Sequence, residues 1–87
     1  MKDGGFFMLR DEMLDKLKSM IVEKFDLKPE SVSASTTQSE LGIDSIIMVD
    51  LMMDVEERFG IEFKELQFPK NPSLNDIVDL IAANSNG

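Results

Sequence analysis

Apolar residues recur at steps of three and four in three separate stretches of this 87-residue chain. That period is typical of an amphipathic helix with one buried face. In the first stretch, residues 9–25, charged side chains occupy most of the side opposite the apolar residues. No stretch shows the strict alternation expected of a strand. The pattern therefore predicts an all-α domain.

The other helices can be placed from their end signals. A second helix is predicted over 45–59, with Gly60 closing it in the left-handed conformation. A last helix is predicted after Ser73, because Ser73 followed by Asp76 resembles a capping arrangement. Residues 64–68 are predicted to form one helical turn. We therefore expect a small four-helix bundle of three main helices and one short helix.

A long polar loop, residues 26–44, separates the first two predicted main helices. Loops of this length are uncommon inside compact domains and are usually functional or mobile. The loop is not interpreted as a linker, because two fragments of so short a chain would be too small to fold alone. We expect one domain over 9–83, with an N-terminal tail at 1–8 and a frayed C-terminus at 84–87.

Composition excludes several classes of function. The chain has no Cys and no His, so disulfides, thiolate metal sites and a Ser-His-Asp triad are excluded. Its 17 Asp and Glu against 9 Lys and Arg give a net charge of −8, which disfavours nucleic acid as a partner and favours basic protein surfaces. No apolar run reaches the roughly 20 residues of a membrane helix, and the N-terminus lacks a secretory signal. We expect a cytoplasmic monomer without membrane insertion.

The most specific motif lies where the loop meets the second helix, in Leu-Gly-Ile-Asp-Ser-Ile over residues 41–46. With Val-Asp-Leu at 49–51 and Glu-Glu-Arg-Phe at 56–59, it looks like the signature of acyl carrier proteins, an Asp-Ser-Leu box opening a helix that ends in Glu-Glu-x-Phe. The resemblance extends from about residue 25 to residue 81. It is carried by the box, the preceding loop, the helix length and the following Gly together.

The resemblance implies that a phosphopantetheinyl transferase attaches 4'-phosphopantetheine from coenzyme A to the Ser45 hydroxyl. The thiol of that arm would carry acyl groups as thioesters, which agrees with the absence of Cys; the protein itself is expected to be no enzyme. By the same resemblance Asp44 helps hold magnesium during loading, and Gly42 lets the backbone turn close to the arm. The plainer interpretation is that Ser45 or Asp44 only caps the helix.

The second helix has more apolar residues than one core-facing stripe needs. Steps of three and four predict an inward set of Met48, Leu51, Met52, Val55 and Phe59. From this set we take Met48, Met52, Val55 and Phe59 as acyl-pocket candidates, because Met adapts its shape to different cargo. A wide core contact is the alternative. The remaining apolar residues are left for the rim of the core or for contact with the acyl chain: Ile46, Ile47, Val49 and Met53.

Acidic residues surround this apolar set, and in the family such acids are bound by basic patches on partner enzymes. We therefore expect acyl-loading, condensing and modifying enzymes to bind here, with charge setting association rate and orientation. A solubilising surface is the alternative. The partner-binding candidates are Ile46, Val49, Asp50, Met53, Glu56 and Glu57.

Three features depart from the pattern of fatty-acid carriers. Ile47 stands where an acid is usual, and Thr37 and Gln38 replace a common aromatic anchor, so we expect the loop to be held loosely. Residues 69–74 resemble polyketide or peptidyl carriers as much as they resemble fatty-acid carriers. Besides a fatty-acid or polyketide carrier, an aminoacyl, peptidyl or D-alanyl carrier stays open, as does a helical interaction module without a prosthetic group. A calcium-binding loop is excluded, because residues 26–44 lack its ligand array.

Overall fold

The structure, a computed structural model, describes residues 9–64 and 68–84. It contains four α-helices in these ranges: α1 (Arg10–Phe25), α2 (Gln38–Leu41), α3 (Ser45–Phe59) and α4 (Leu74–Asn84). One 3-10 turn, Pro29–Ser31, follows α1. No strand occurs in the described ranges, where the only β contact is an isolated bridge between Thr37 and Ser73. The predicted all-α bundle is confirmed.

The three main helices begin and end close to the predicted residues. Helix α1 starts at Arg10, one residue later than predicted. Helix α3 spans the predicted residues, and Gly60 ends it in the left-handed conformation, with φ 65°. Before α4, the Ser73 amide donates to the Asp76 carboxylate at 2.9 Å and the Asp76 amide donates to the Ser73 hydroxyl at 3.3 Å. This is the predicted capping arrangement.

The ends of the chain and part of one connection give no test of the sequence predictions. Residues 1–8, which include Phe6 and Phe7, lie outside the described residues, and so do 65–67 of the turn predicted at 64–68. At the C-terminus, 85–87 also lie outside. Asn84 is the last residue of α4, and its side-chain amide donates to the Leu80 carbonyl at 2.8 Å.

The loop between α1 and α3 contains a helix that the sequence reasoning missed. The Thr37 amide donates to the Glu40 carboxylate at 2.9 Å, and the Glu40 amide donates to the Thr37 hydroxyl at 3.4 Å. These two bonds form a capping box that starts α2, and Gly42 ends it at φ 72°. The Thr-x-x-Glu spacing at 37–40 was the available signal. A short helix therefore precedes α3, where an irregular loop was expected.

This loop is also held firmly, which corrects the expectation of a loose one. Hydrogen bonds to the segment before α4 and to the first two residues of α4 hold the loop without an aromatic anchor, and they satisfy backbone groups of the loop. They join Gln38 N to Pro72 O at 2.8 Å, Ser39 N to Asn71 Oδ1 at 2.8 Å, Leu74 N to Thr36 O at 3.1 Å and Asn75 N to Ala34 O at 3.0 Å.

The core lies between α1, α3 and α4. Helix α1 packs against α4, and the loop contributes Val32 and Ile43, which are both buried. Burial of this kind contributes roughly 1.5–3 kcal/mol for each large aliphatic side chain. The largest fully buried side chains are Leu17, Ile21, Leu51, Met52, Leu74, Ile81, Val55 and Val78.

Candidate functional site

Asp44 is the residue that caps α3. Its backbone is extended, and its carboxylate Oδ1 accepts a hydrogen bond from the Ile47 amide at 2.9 Å. Its carbonyl accepts the first helical bond, from the Met48 amide, also at 2.9 Å. Asp44 is therefore the N-cap of α3 and accepts the hydrogen bonds of the Ile47 and Met48 amides.

Ser45 is the first residue within α3, and its side chain is exposed. Because Asp44 is the cap, the capping interpretation of Ser45 is wrong. Within residues 9–64 and 68–84, the Ser45 hydroxyl makes no hydrogen bond. A hydroxyl in this position is accessible to another protein and costs no internal contact when it is modified.

The start of α3 is suited to a phosphate group. Of the first backbone amides of a helix, those of Ile47 and Met48 have acceptors on Asp44, whereas those of Ser45 and Ile46 have none among the described residues. Unpaired N–H groups and the positive end of the helix dipole stabilise a nearby anion by about 0.3–1 kcal/mol.

The segment before Ser45 is fixed from two sides. The Gln38 side-chain amide donates to the Ile43 carbonyl at 3.1 Å, and the Ile43 side chain is buried. Gly42 has φ 72°, and a Cβ added there would meet no atom within 4 Å. Gly42 is therefore required by its left-handed backbone, and the space beside it is open. The residues present thus fit an arm attached at Ser45.

Apolar side chains cover the solvent side of α3 next to Ser45. Ile46 is 81% exposed, Val49 50% and Met53 59%, and Glu57 lies one helical turn beyond Met53. We call Ile46, Val49, Met53 and Glu57 the outer face of α3. Ile47, at 37% exposure, lies toward one side of it.

The acids of α3 differ in their surroundings, which the sequence could not show. Lys24 of α1 places its Nζ 2.7 Å from a carboxylate oxygen of Asp50 and 2.7 Å from one of Asp54. The pKa of Lys24 is raised above its usual value, most by its hydrogen bond to Asp50 and next by its hydrogen bond to Asp54. The Glu56 carboxylate accepts from the Phe63 amide at 2.8 Å. Glu57 is exposed and makes no ion pair with any described residue.

The inward set predicted for α3 is buried as a whole. Val55 has no exposed surface, and Leu51 has none either. Lys16 covers the Phe59 end of the helix, with its Nζ 4.9 Å from the centre of that ring and 2.8 Å from the Arg58 carbonyl oxygen. The buried acyl-pocket candidates are Met48, Met52, Val55 and Phe59.

The described part of the chain has neither a metal-binding cluster nor a membrane-spanning helix. Across residues 9–64 and 68–84, no group of three or more His, Cys, Asp and Glu side chains is placed to hold a metal ion. None of the helices there combines the length and apolar character needed to cross a membrane.

A small acidic helical bundle that offers an exposed serine hydroxyl at the start of a capped helix has the arrangement of a carrier protein. Comparisons with known proteins agree. The family model described as "Phosphopantetheine attachment site" matches residues 15–81. An acyl carrier protein of Thermotoga maritima is 36% identical over 73 residues, which cover 83% of this chain and 90% of the relative.

Two further acyl carrier proteins extend the similarity. That of Coprothermobacter proteolyticus is 31% identical over 78 residues, covering 88% of this chain and 95% of the relative. That of Thermosynechococcus vestitus is 32% identical over 75 residues, covering 85% and 93%. The chain belongs to the acyl carrier protein family. Its members are non-catalytic carriers with a covalently attached 4'-phosphopantetheine, which a phosphopantetheinyl transferase adds, and they work with biosynthetic enzymes.

Proposed function

We propose that Ser45 is the attachment residue, and that the protein carries acyl intermediates as thioesters in fatty-acid or polyketide-type biosynthesis. The observation that supports this most strongly is that Asp44 caps α3 and leaves the Ser45 hydroxyl exposed and without a partner among the described residues. When bound, the prosthetic group supplies the thiol that this Cys-free chain lacks. The protein is proposed to act as a monomer in the cytoplasm.

The neighbours of Ser45 would have separate tasks during loading. Asp44 holds α3 in place through Oδ1, and its side chain is exposed, so we propose that it also helps the transferase hold magnesium. The amides of Ser45 and Ile46 would be available to donate hydrogen bonds to the oxygens of the attached phosphate. Gly42 provides the left-handed turn before Asp44 and Ser45, with open space beside it.

The acyl chain is proposed to enter the buried side of α3, among Met48, Met52, Val55 and Phe59. Met side chains are unbranched and polarizable, so they can repack around chains of different length. Burial of the cargo would shield apolar carbon atoms from water, at about 0.8 kcal/mol for each CH₂ group.

Partner enzymes are proposed to dock on the outer face of α3. Exposed apolar side chains beside an acid suit a basic surface with an apolar recess, which is a common pattern in transient complexes. Asp50 and Glu56 belong to the same proposed region, although Asp50 is already paired with Lys24 and Glu56 accepts a hydrogen bond from the Phe63 amide. Ile47 adds apolar surface where fatty-acid carriers usually have an acid, which keeps a peptidyl, aminoacyl or D-alanyl cargo as a second candidate.

Intact-mass measurement tests this proposal. The purified protein is incubated with coenzyme A and a promiscuous phosphopantetheinyl transferase, together with Ser45→Ala and a control, Ser39→Ala, which alters another exposed serine. We expect the mass of one phosphopantetheine on the wild type and on Ser39→Ala, and no gain on Ser45→Ala. An undiminished gain on Ser45→Ala would refute the assignment. The class of activating or condensing enzyme that then loads the modified protein decides the cargo.

A further inference from the structure

One lysine occupies the acidic side of α3 that faces α1. Lys24 binds Asp50 and Asp54 at the same time, with both Nζ–Oδ2 distances at 2.7 Å. Its side chain is 26% exposed, whereas those of Asp50 and Asp54 are 62% and 46% exposed. The Lys24 side chain is thus more covered than those of the two aspartates, which a cation from outside can still reach.

The ion pairs change the charge that a partner meets on this side. One lysine and two aspartates leave a net charge of −1 in place of −2. The pKa of a lysine lies well above neutral, and hydrogen bonds to Asp50 and then Asp54 raise that of Lys24 further, so its ammonium is protonated throughout the neutral range. Arg58, one turn beyond Asp54, adds a further pair with Glu23 at 3.8 Å. In the described part of the chain, Glu57 has no such counter-ion.

We propose that Lys24 competes internally with the cations of partner enzymes, so that a basic side chain can bind Asp50 only by displacing the Lys24 ammonium. The inference rests on the proposed function and deepens it. Lys24 is then a specificity-determining residue, because it weakens docking through Asp50 and leaves docking through Glu57 unchanged. The partner that this surface favours has an apolar recess opposite Ile46 and Met53 and a cation opposite Glu57.

A plain structural clamp between α1 and α3 is the competing explanation of the same contacts. A clamp would change stability when it is removed but would not couple Lys24 to the way a partner uses Asp50. The two explanations therefore differ in a double-mutant cycle, which isolates the coupling between two residues.

The cycle consists of the wild type, Lys24→Met, Asp50→Asn and the double variant. The quantity measured is kcat/KM for loading by a phosphopantetheinyl transferase, at low and at high salt. We expect Lys24→Met to load roughly two- to fivefold faster at low salt, the range of an exposed ion pair. Asp50→Asn should remove most of that gain and have little effect when Lys24 is present. High salt should shrink all of these differences.

Three matched variants control for net charge and for the site. Lys18→Met removes the same charge from α1, at a residue without an ion pair to any described carboxylate, and should have a smaller effect than Lys24→Met. Lys24→Arg keeps the charge and should load at close to the wild-type rate. Glu57→Gln should slow loading by the same factor with or without Lys24.

The inference is overturned if Lys24→Met loads no faster than Lys18→Met, or if Asp50→Asn has the same effect in both backgrounds. Failure of the wild type to gain mass would refute the proposed function instead.

Binding of tetralysine, followed by the amide chemical shifts of α3, then tests the inference without loading. Lys24→Met should tighten tetralysine binding at Asp50 by roughly the same two- to fivefold factor as its gain in loading. Unchanged tetralysine binding would overturn the inference. Circular dichroism verifies the fold, and Lys24→Gln replaces Lys24→Met if that variant unfolds.

Discussion

Two adjacent side chains at the start of α3 have opposite roles, and stability measurements can separate them. Asp44→Ala removes the acceptor of the Ile47 amide, so we expect a loss of about 0.5–2 kcal/mol in the free energy of unfolding. Ser45→Ala removes a hydroxyl that has no partner among the described residues, and we expect a change within about 0.5 kcal/mol. Urea unfolding measures both. Equal losses would show that Ser45 shares the capping role.

Asp44→Asn separates the cap from the charge. Asn caps helices about as well as Asp, so the free energy of unfolding should stay close to that of the wild type. If the Asp44 carboxylate helps hold magnesium during loading, the same variant should load more slowly, with a larger deficit at low magnesium. Loading at the wild-type rate at every magnesium concentration would leave Asp44 with its capping role alone.

Single residues could be identified from the sequence only where local geometry decides their state. The left-handed Gly60 and the Ser73 cap follow from short-range rules, and the structure confirms both. The pairing of Lys24 with Asp50 joins residues on two helices. It depends on how α1 packs against α3, and no spacing along the chain indicates it.

Neighbouring methionines on opposite sides of α3 allow a test of its buried side. Met52 is 1% exposed and Met53 59%. We expect Met52→Ala to cost about 2–5 kcal/mol through loss of contacts and a residual cavity, and Met53→Ala to stay within about 0.5 kcal/mol. Denaturant unfolding measures the difference. Similar costs at the two positions would contradict the assigned orientation of α3.

The acyl-pocket proposal needs a variant that keeps the fold. Met52→Leu preserves volume and usually costs less than about 1.5 kcal/mol, but it removes the flexibility of the thioether side chain. We expect faster hydroxylamine cleavage of a long acyl thioester on Met52→Leu, and no change on Met53→Leu. Unaltered cleavage of the Met52 variant would count against cargo on this side of the helix.

The three long helices could be predicted from the sequence, whereas the short helix could not be predicted from periodicity. The periodic pattern placed α1, α3 and α4 within a residue or so, because each buries one long apolar stripe. Helix α2 has only four residues and no stripe, so its capping box was its one signal. The firm attachment of the loop was not predictable, because it depends on backbone bonds to residues more than thirty positions away.

The molecule as a whole has a net charge of −8, and its acids crowd α3 and the neighbouring loop. Salt screens repulsion over a Debye length of about 10 Å at 0.1 M. We therefore expect moderate NaCl or magnesium to stabilise the fold by on the order of 1 kcal/mol, or roughly 4–8 °C in Tm. The double variant Glu57→Gln, Glu62→Gln should respond less to salt. A Tm that is indifferent to salt would show that the repulsion is unimportant.

At this scale the sequence predicted the class of protein better than its surface. The box at 44–46, the helix length and the missing Cys all indicated a carrier, and the family comparison confirms that class. The charge that a partner can bind depends on the packed structure, in which Asp50 is paired with Lys24 and Glu57 has no ion pair among the described residues.

The attachment of the prosthetic group to one named oxygen is the central claim, and peptide-level mass spectrometry tests it most directly. The loaded protein is digested, and fragment ions locate the added phosphopantetheine. The account predicts that it lies on Ser45 alone. Modification of Ser39 or any other hydroxyl, with Ser45 unmodified, would contradict it.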